Sequence, residues 1–129
     1  MPDFLTSEYN APGVASATTI VAIPQVTHQE TTANLADGAS IDFDFNIDSN
    51  PVFDMFLRAD QNLIVRVFVR LSSSDTYTQL GGDYLYVQPN LMNVLSALRV
   101  PGSMARIRIL NSSGAATTVL AGQVHSRSL

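Results

Sequence analysis

The stretch "SIDFDFNID" (residues 40–48) alternates without a break, with Ile41, Phe43, Phe45 and Ile47 on one side and Asp42, Asp44, Asn46 and Asp48 on the other. An extended chain turns successive side chains to opposite faces, so a period of two marks a strand with one face in a core and one in water. The same one-sidedness recurs in "LIVRVFVRL" (63–71), which places Leu63, Val65, Val67, Val69 and Leu71 inward and Arg66 and Arg70 outward. It recurs again in "SMARIRIL" (103–110), where Ala105, Ile107 and Ile109 belong to the core and Arg106 and Arg108 face out. Several half-buried strands need an apolar partner layer, which favours two sheets sharing one core over a single open sheet.

The rest of the chain fits that frame. "TTIVAIPQVTH" (18–28) is rich in β-branched residues, with Pro24 marking a bulge or an edge. "VFDMFLRA" (52–59) reads as a strand, and "DQN" (60–62) as a short turn out of it. "YTQ" and "YLYVQ" lie between and after the loops "SSSD" and "LGGD". "NLMNVLSALRVPG" (90–102) is ambiguous: Leu91, Val94, Leu95 and Leu98 fit helical spacing with Asn90 as a cap, whereas "LSALRV" fits a strand. The surrounding strands and the tight exit at "VPG" favour the strand. The final segments, "SMARIRIL" and "ATTVLAGQVH", are expected to close around "NSSGA" as a hairpin. About eight short antiparallel strands with turn signals between them predict one all-β domain over residues 19–129, a β-sandwich or jelly roll. Residues 1–18, small, polar and punctuated by Pro and Gly, read as an extended N-terminal arm whose Phe4, Leu5 and Tyr9 can anchor it on another surface.

Composition narrows the chemistry. The 129 residues suffice for one domain, and with no cysteine there is no disulfide scaffold, thiolate zinc site or cysteine nucleophile. A net charge of −4 and seven scattered basic residues argue against a surface that tracks phosphates. No apolar run approaches a membrane helix and no signal peptide is visible, so the expectation is a soluble protein without nucleic-acid or membrane partners. Every basic residue is arginine, at 58, 66, 70, 99, 106, 108 and 127. Guanidinium groups grip carboxylates through two parallel hydrogen bonds and lose less on desolvation than ammonium groups, which suits protein–protein contact.

Candidate catalytic or metal-binding sets are thin. His28 and His125 lie near opposite ends of the domain in sequence, and no second pair of ligands has a recognisable spacing. Asp42, Asp44 and Asp48 share a strand face, where two carboxylates could converge on calcium or form an acid–base pair. However, no D-x-D-x-D-G loop occurs and a flat strand offers no cavity, so they read as an acidic face able to pair with Arg66, Arg70, Arg106 and Arg108 across strands or across subunits. No G-x-S-x-G elbow is present beside His125 and Ser126. Tyr84 and Tyr86 share one face of "YLYVQ" and are the candidate platform for stacking a sugar, the alternative being a glycan- or receptor-binding module. No catalytic residue, cofactor or metal is expected.

Residues 53–128 resemble a β-sandwich domain of tailed-bacteriophage virion proteins. The likeness rests on "RADQNLIVRVFVRLSSSD", a strand ending in Asp-x-x-Leu that leads into a Val/Arg strand. It rests also on "RVPGSMARIRILNSSGAATTVLAG", with a Pro/Gly turn, an Arg-bearing strand, an Asn-Ser-Gly turn and a small-residue final strand. Small members with an N-terminal arm resemble capsid decoration (cement) proteins. The resemblance implies a non-enzymatic protein made in the host cytoplasm and carried on the capsid exterior, a homotrimer clamping the major capsid protein. A tail or neck component is the alternative within that group. The interface residues implied are Phe4, Leu5 and Tyr9 of the arm and Arg66, Arg70, Arg106 and Arg108 of the body.

Overall fold

A computed structural model describes residues 26–47 and 51–128. Among the described residues nine strands follow in order: β1 Val26–Thr31, β2 Ser40–Asn46, β3 Val52–Ala59, β4 Leu63–Arg70, β5 Thr78–Gln79, β6 Tyr84–Tyr86, β7 Met92–Arg99, β8 Met104–Leu110 and β9 Leu120–Arg127. The first sheet runs β1-β9-β3-β7; the second runs β2-β8-β4-β5, with β6 also paired to β4, and every pairing is antiparallel. Most links carry the chain from one sheet to the other, and the first and last of the described strands lie side by side. This is the strand order of a jelly roll, a sandwich of two Greek keys.

The alternating segments build the core as their pattern requires. Phe43, Phe45, Val65, Val67, Ala105, Ile107 and Ile109 line the inner face of the second sheet, meeting Phe53, Met55, Leu57, Leu95, Leu120 and Val124 of the first. Phe45 and Phe53 join the layers edge to face, their centroids 5.1 Å apart at 78°. The layers pack closely at Gly122, where a Cβ would stand 3.2 Å from Leu57 Cδ1 and 3.4 Å from Ile109 Cδ1.

In the segment 90–98, where periodicity left helix and strand open, residues 92–98 are extended within β7 and residues 90–91 belong to the link before it. A register irregularity opposite Met55 bends it, and the Asp54 carboxylate accepts from the Ala97 N–H at 2.8 Å, holding Ala97 at φ +50°. This bulge explains the mixed periodicity. The exit at "VPG" turns on Gly102, at φ +102°, with space for a Cβ only 3.2 Å from Arg70 O.

Two strand assignments are corrected. β8 and β9 form no hairpin: β8 lies between β2 and β4 in the second sheet, β9 between β1 and β3 in the first, and residues 111–119 cross between the layers. The crossing is held by buried Asn111, whose Nδ2 donates to Leu35 O (3.0 Å) and Ala115 O (2.8 Å), and by Thr117, whose Oγ1 accepts from Leu35 N (2.8 Å). Leu71 is not inward either. β4 ends at Arg70, and Leu71 is 74% exposed because alternation stops counting where the strand stops.

Candidate functional site

The outer face of the second sheet collects the four arginines singled out in the sequence. Register sets Asp42 of β2, Arg108 of β8 and Arg66 of β4 side by side in one row, and Asp44, Arg106 and Phe68 in the next. Odd–even parity of three strands therefore assembles the site. Arg108 donates to Asp42 through Nε (2.7 Å) and Nη2 (3.1 Å), and Arg106 donates to Asp44 with the same pair of distances. Arg66 reaches the other way, to Asp83 beside β6, through Nε (2.9 Å) and Nη2 (3.3 Å), while Gln79 donates to the same carboxylate at 3.0 Å. Three side-on pairs in one sheet face form a ladder of fixed forks.

Aromatic rings lock the ladder from above. Tyr77, from the loop before β5, carries the guanidinium of Arg70 at 4.5 Å and that of Arg106 at 4.4 Å from its ring centroid. Arg108 stands 5.0 Å over Phe68. These contacts set guanidinium orientation through the quadrupole of each ring.

The charges are stabilised in their ionised forms. The hydrogen bond from Arg106 holds the Asp44 carboxyl below its ordinary 3.8, against a smaller opposing effect of burial. Arg66 and then Gln79 lower Asp83 in the same way. Reciprocally, Asp44 raises Arg106 and Asp42 raises Arg108. The pairs are partly solvated, with side chains of Arg106 28% and Asp44 50% exposed, so the Arg106–Asp44 pair contributes only about 0.2–1 kcal/mol to folding. Their effect is on surface order rather than on the fold.

The structure thus realises the cross-strand form of the Arg–Asp pairing: Arg106 and Arg108 meet Asp44 and Asp42 of their own chain. Each side-on pair uses Nε and Nη2, and the Nη1 groups of Arg66, Arg106 and Arg108 meet no acceptor among the described residues. Arg70 donates through Nη1 to Ser73 O (3.3 Å) and pairs with no carboxylate among the described residues. Phe4, Leu5, Tyr9, the arm 1–18, Pro24 and Asp48 lie outside the described residues. Tyr77, Phe68 and Asp83 complete the ladder and were not singled out from sequence. Phe68 could have been, since parity puts it outward between Arg66 and Arg70; Tyr77 and Asp83 come from loops, which carry no period.

Two other readings change. His28 and His125 are not at opposite ends: β1 and β9 are neighbours, the two residues are directly in register, and their rings stack 4.6 Å apart at 5°. Chain order misled because a jelly roll pairs its first and last strands. Among the described residues no group of three or more His, Asp or Glu could hold a metal ion. The tyrosine platform does not form, because Tyr86 is fully buried and Tyr84 half-buried. Tyr86 Oη accepts from Ala59 N–H and lies 2.8 Å from Asn90 O, stapling the β3–β4 turn to the β6–β7 link. The face that the pair shares is the inner one, and Leu85 is what β6 shows to solvent.

No family model matches the chain, and no curated protein matches it. Among solved structures it is similar to a de novo designed double-stranded β-helix determined by solution NMR, at 16% identity and a TM-score of 0.34, covering 78% of this chain and 99% of that one. The fold assignment stands on the strand order.

Proposed function

We propose that the chain is a structural virion protein, a capsid decoration protein that docks on the outer shell of a tailed bacteriophage and stabilises contacts between major capsid subunits. It acts without catalysis or cofactor, as a homo-oligomer and, following the family resemblance, a trimer. The observation that carries the reading is the Arg–Asp–Tyr ladder on the second sheet. Its guanidinium groups are oriented before any partner arrives, and the Nη1 groups of Arg66, Arg106 and Arg108, which meet no acceptor among the described residues, are left to donate to carbonyl or carboxylate oxygens of a neighbour. Pre-ordered arginines reduce the entropic cost of docking, and repetition over a shell converts modest single contacts into firm attachment. Jelly rolls occur in viral capsid proteins as well as in lectin domains and cupins, which is compatible with this role without selecting it.

The test is quantitative mass spectrometry of washed particles from the phage that encodes the chain. The expected result is a copy number of the same order as the major capsid protein. Its absence from washed particles would overturn the proposal.

A further inference from the structure

The outer face of the first sheet carries a different kind of surface. Phe56, Arg58, Ala121 and Gln123 of β3 and β9, with Leu91 from the link before β7, line a pocket of about 220 Å³. That is below the range of pockets enclosing small-molecule ligands and is of the size of one or two side chains. Its walls are apolar and open: Leu91 is 65% exposed and Phe56 36%. Arg58 stands at its rim and pairs with no carboxylate among the described residues, unlike Arg66, Arg106, Arg108 and Arg127. An apolar socket with an uncompensated guanidinium at its edge fits an apolar side chain flanked by acids.

The chain itself contains such a sequence. In "MPDFLTSEYN", Phe4 and Leu5 follow Asp3, and Tyr9 follows Glu8. This segment precedes the described body, which begins at Val26 on the edge strand β1. Val26 lies at the Arg127 end of β9, whereas the pocket lies towards Ala121, so the chain enters the body at the far end of the sheet from the pocket. Twenty-five residues extend up to about 80 Å, ample to reach a neighbouring molecule.

We propose that the pocket at Phe56, Arg58 and Leu91 receives the Asp3–Tyr9 segment of a second copy of this chain, with Phe4 or Leu5 seated against Phe56 and Leu91 and Asp3 or Glu8 paired to Arg58. Two acids lie near Arg58 and neither pairs with it: Asp60, two residues on, accepts from the N–H groups of Thr118 (3.0 Å) and Val119 (3.2 Å), and Glu30 of β1 is engaged by Gln123 of β9 (3.4 Å) and by His28 of its own strand (3.6 Å). The inference rests on the docking reading only in treating this exterior as a contact surface. Its test follows self-association in solution rather than binding to particles, so either can fail alone.

Full-length chains, half of them ¹⁵N-labelled and half unlabelled, would carry a photo-reactive side chain in place of Phe4. Light–heavy cross-links at Phe56, Arg58 or Leu91 are expected. Sedimentation of the full-length protein should show self-association weakened at least about tenfold by Arg58→Glu, and largely recovered when Asp3→Arg and Glu8→Arg are added to that variant. Arg58 is exposed, so circular dichroism of the variant should match the parent. A monomer at all concentrations, cross-links confined to one chain or to other residues, or association indifferent to Arg58→Glu would each overturn the proposal.

Discussion

Two polar networks tie together distant parts of this chain, and they do opposite work. The buried latch joins Asn111 and Thr117 to Leu35, with both polar side chains shielded from water. The exposed ladder joins Asp42 and Asp44 to Arg108 and Arg106 with paired hydrogen bonds between full charges. By charge the ladder looks stronger. By environment it is the weaker contributor to folding, because water competes for its charges, whereas the latch bonds to Leu35 are made by buried side chains where water does not replace a lost partner. The buried network sits at the crossing of the two sheets, and the docking surface proposed above on the outer face of one of them.

The sharpest way to break this division is Asn111→Ala, which removes the donor to Leu35 O and Ala115 O. It should lower unfolding free energy by about 2–3 kcal/mol in chemical denaturation, and a loss below about 0.5 kcal/mol would place the latch in the same class as the ladder. Asp42→Asn, by contrast, should cost under about 1 kcal/mol by the same measurement while leaving the circular dichroism spectrum intact.

The smallest effect is on pH. Asp44 and Asp83 have folded pKa values below the ordinary 3.8, so their contribution is complete above that value and is lost as pH falls through the lower folded one. Stability should therefore decline shallowly with acidification below about pH 4. Asp44→Asn should flatten that limb in a series of acid denaturation curves. A steeper limb in the variant would contradict the assignment of Asp44 as a stabilising ionised partner.

Parity made most of the sandwich legible. Ile41 to Ile47, Leu63 to Val69 and Ala105 to Ile109 identify their own inner faces, and the same count delivers Arg66, Arg70, Arg106 and Arg108 to one exterior. What parity does not carry is which strand lies beside which. Sequence neighbours β8 and β9 separate into different sheets, and His28 and His125, far apart in the chain, stack against each other. Those outcomes depend on long-range closure of the core, as does the burial of Tyr86, which alternation left free to face either way. Tyr77 and Asp83 were hidden for another reason: loop residues that complete a site have no period and are placed by the strands they lean on.

Arg106 sits where the two roles separate most cleanly, bonded to Asp44 and stacked on Tyr77 but outside the core. The decisive measurement is binding of full-length Arg106→Gln to capsids lacking the protein, with thermal unfolding recorded on the same samples. The docking account predicts affinity at least about tenfold lower at a stability within about 1 kcal/mol of the parent. Capsid binding equal to that of the parent would contradict it.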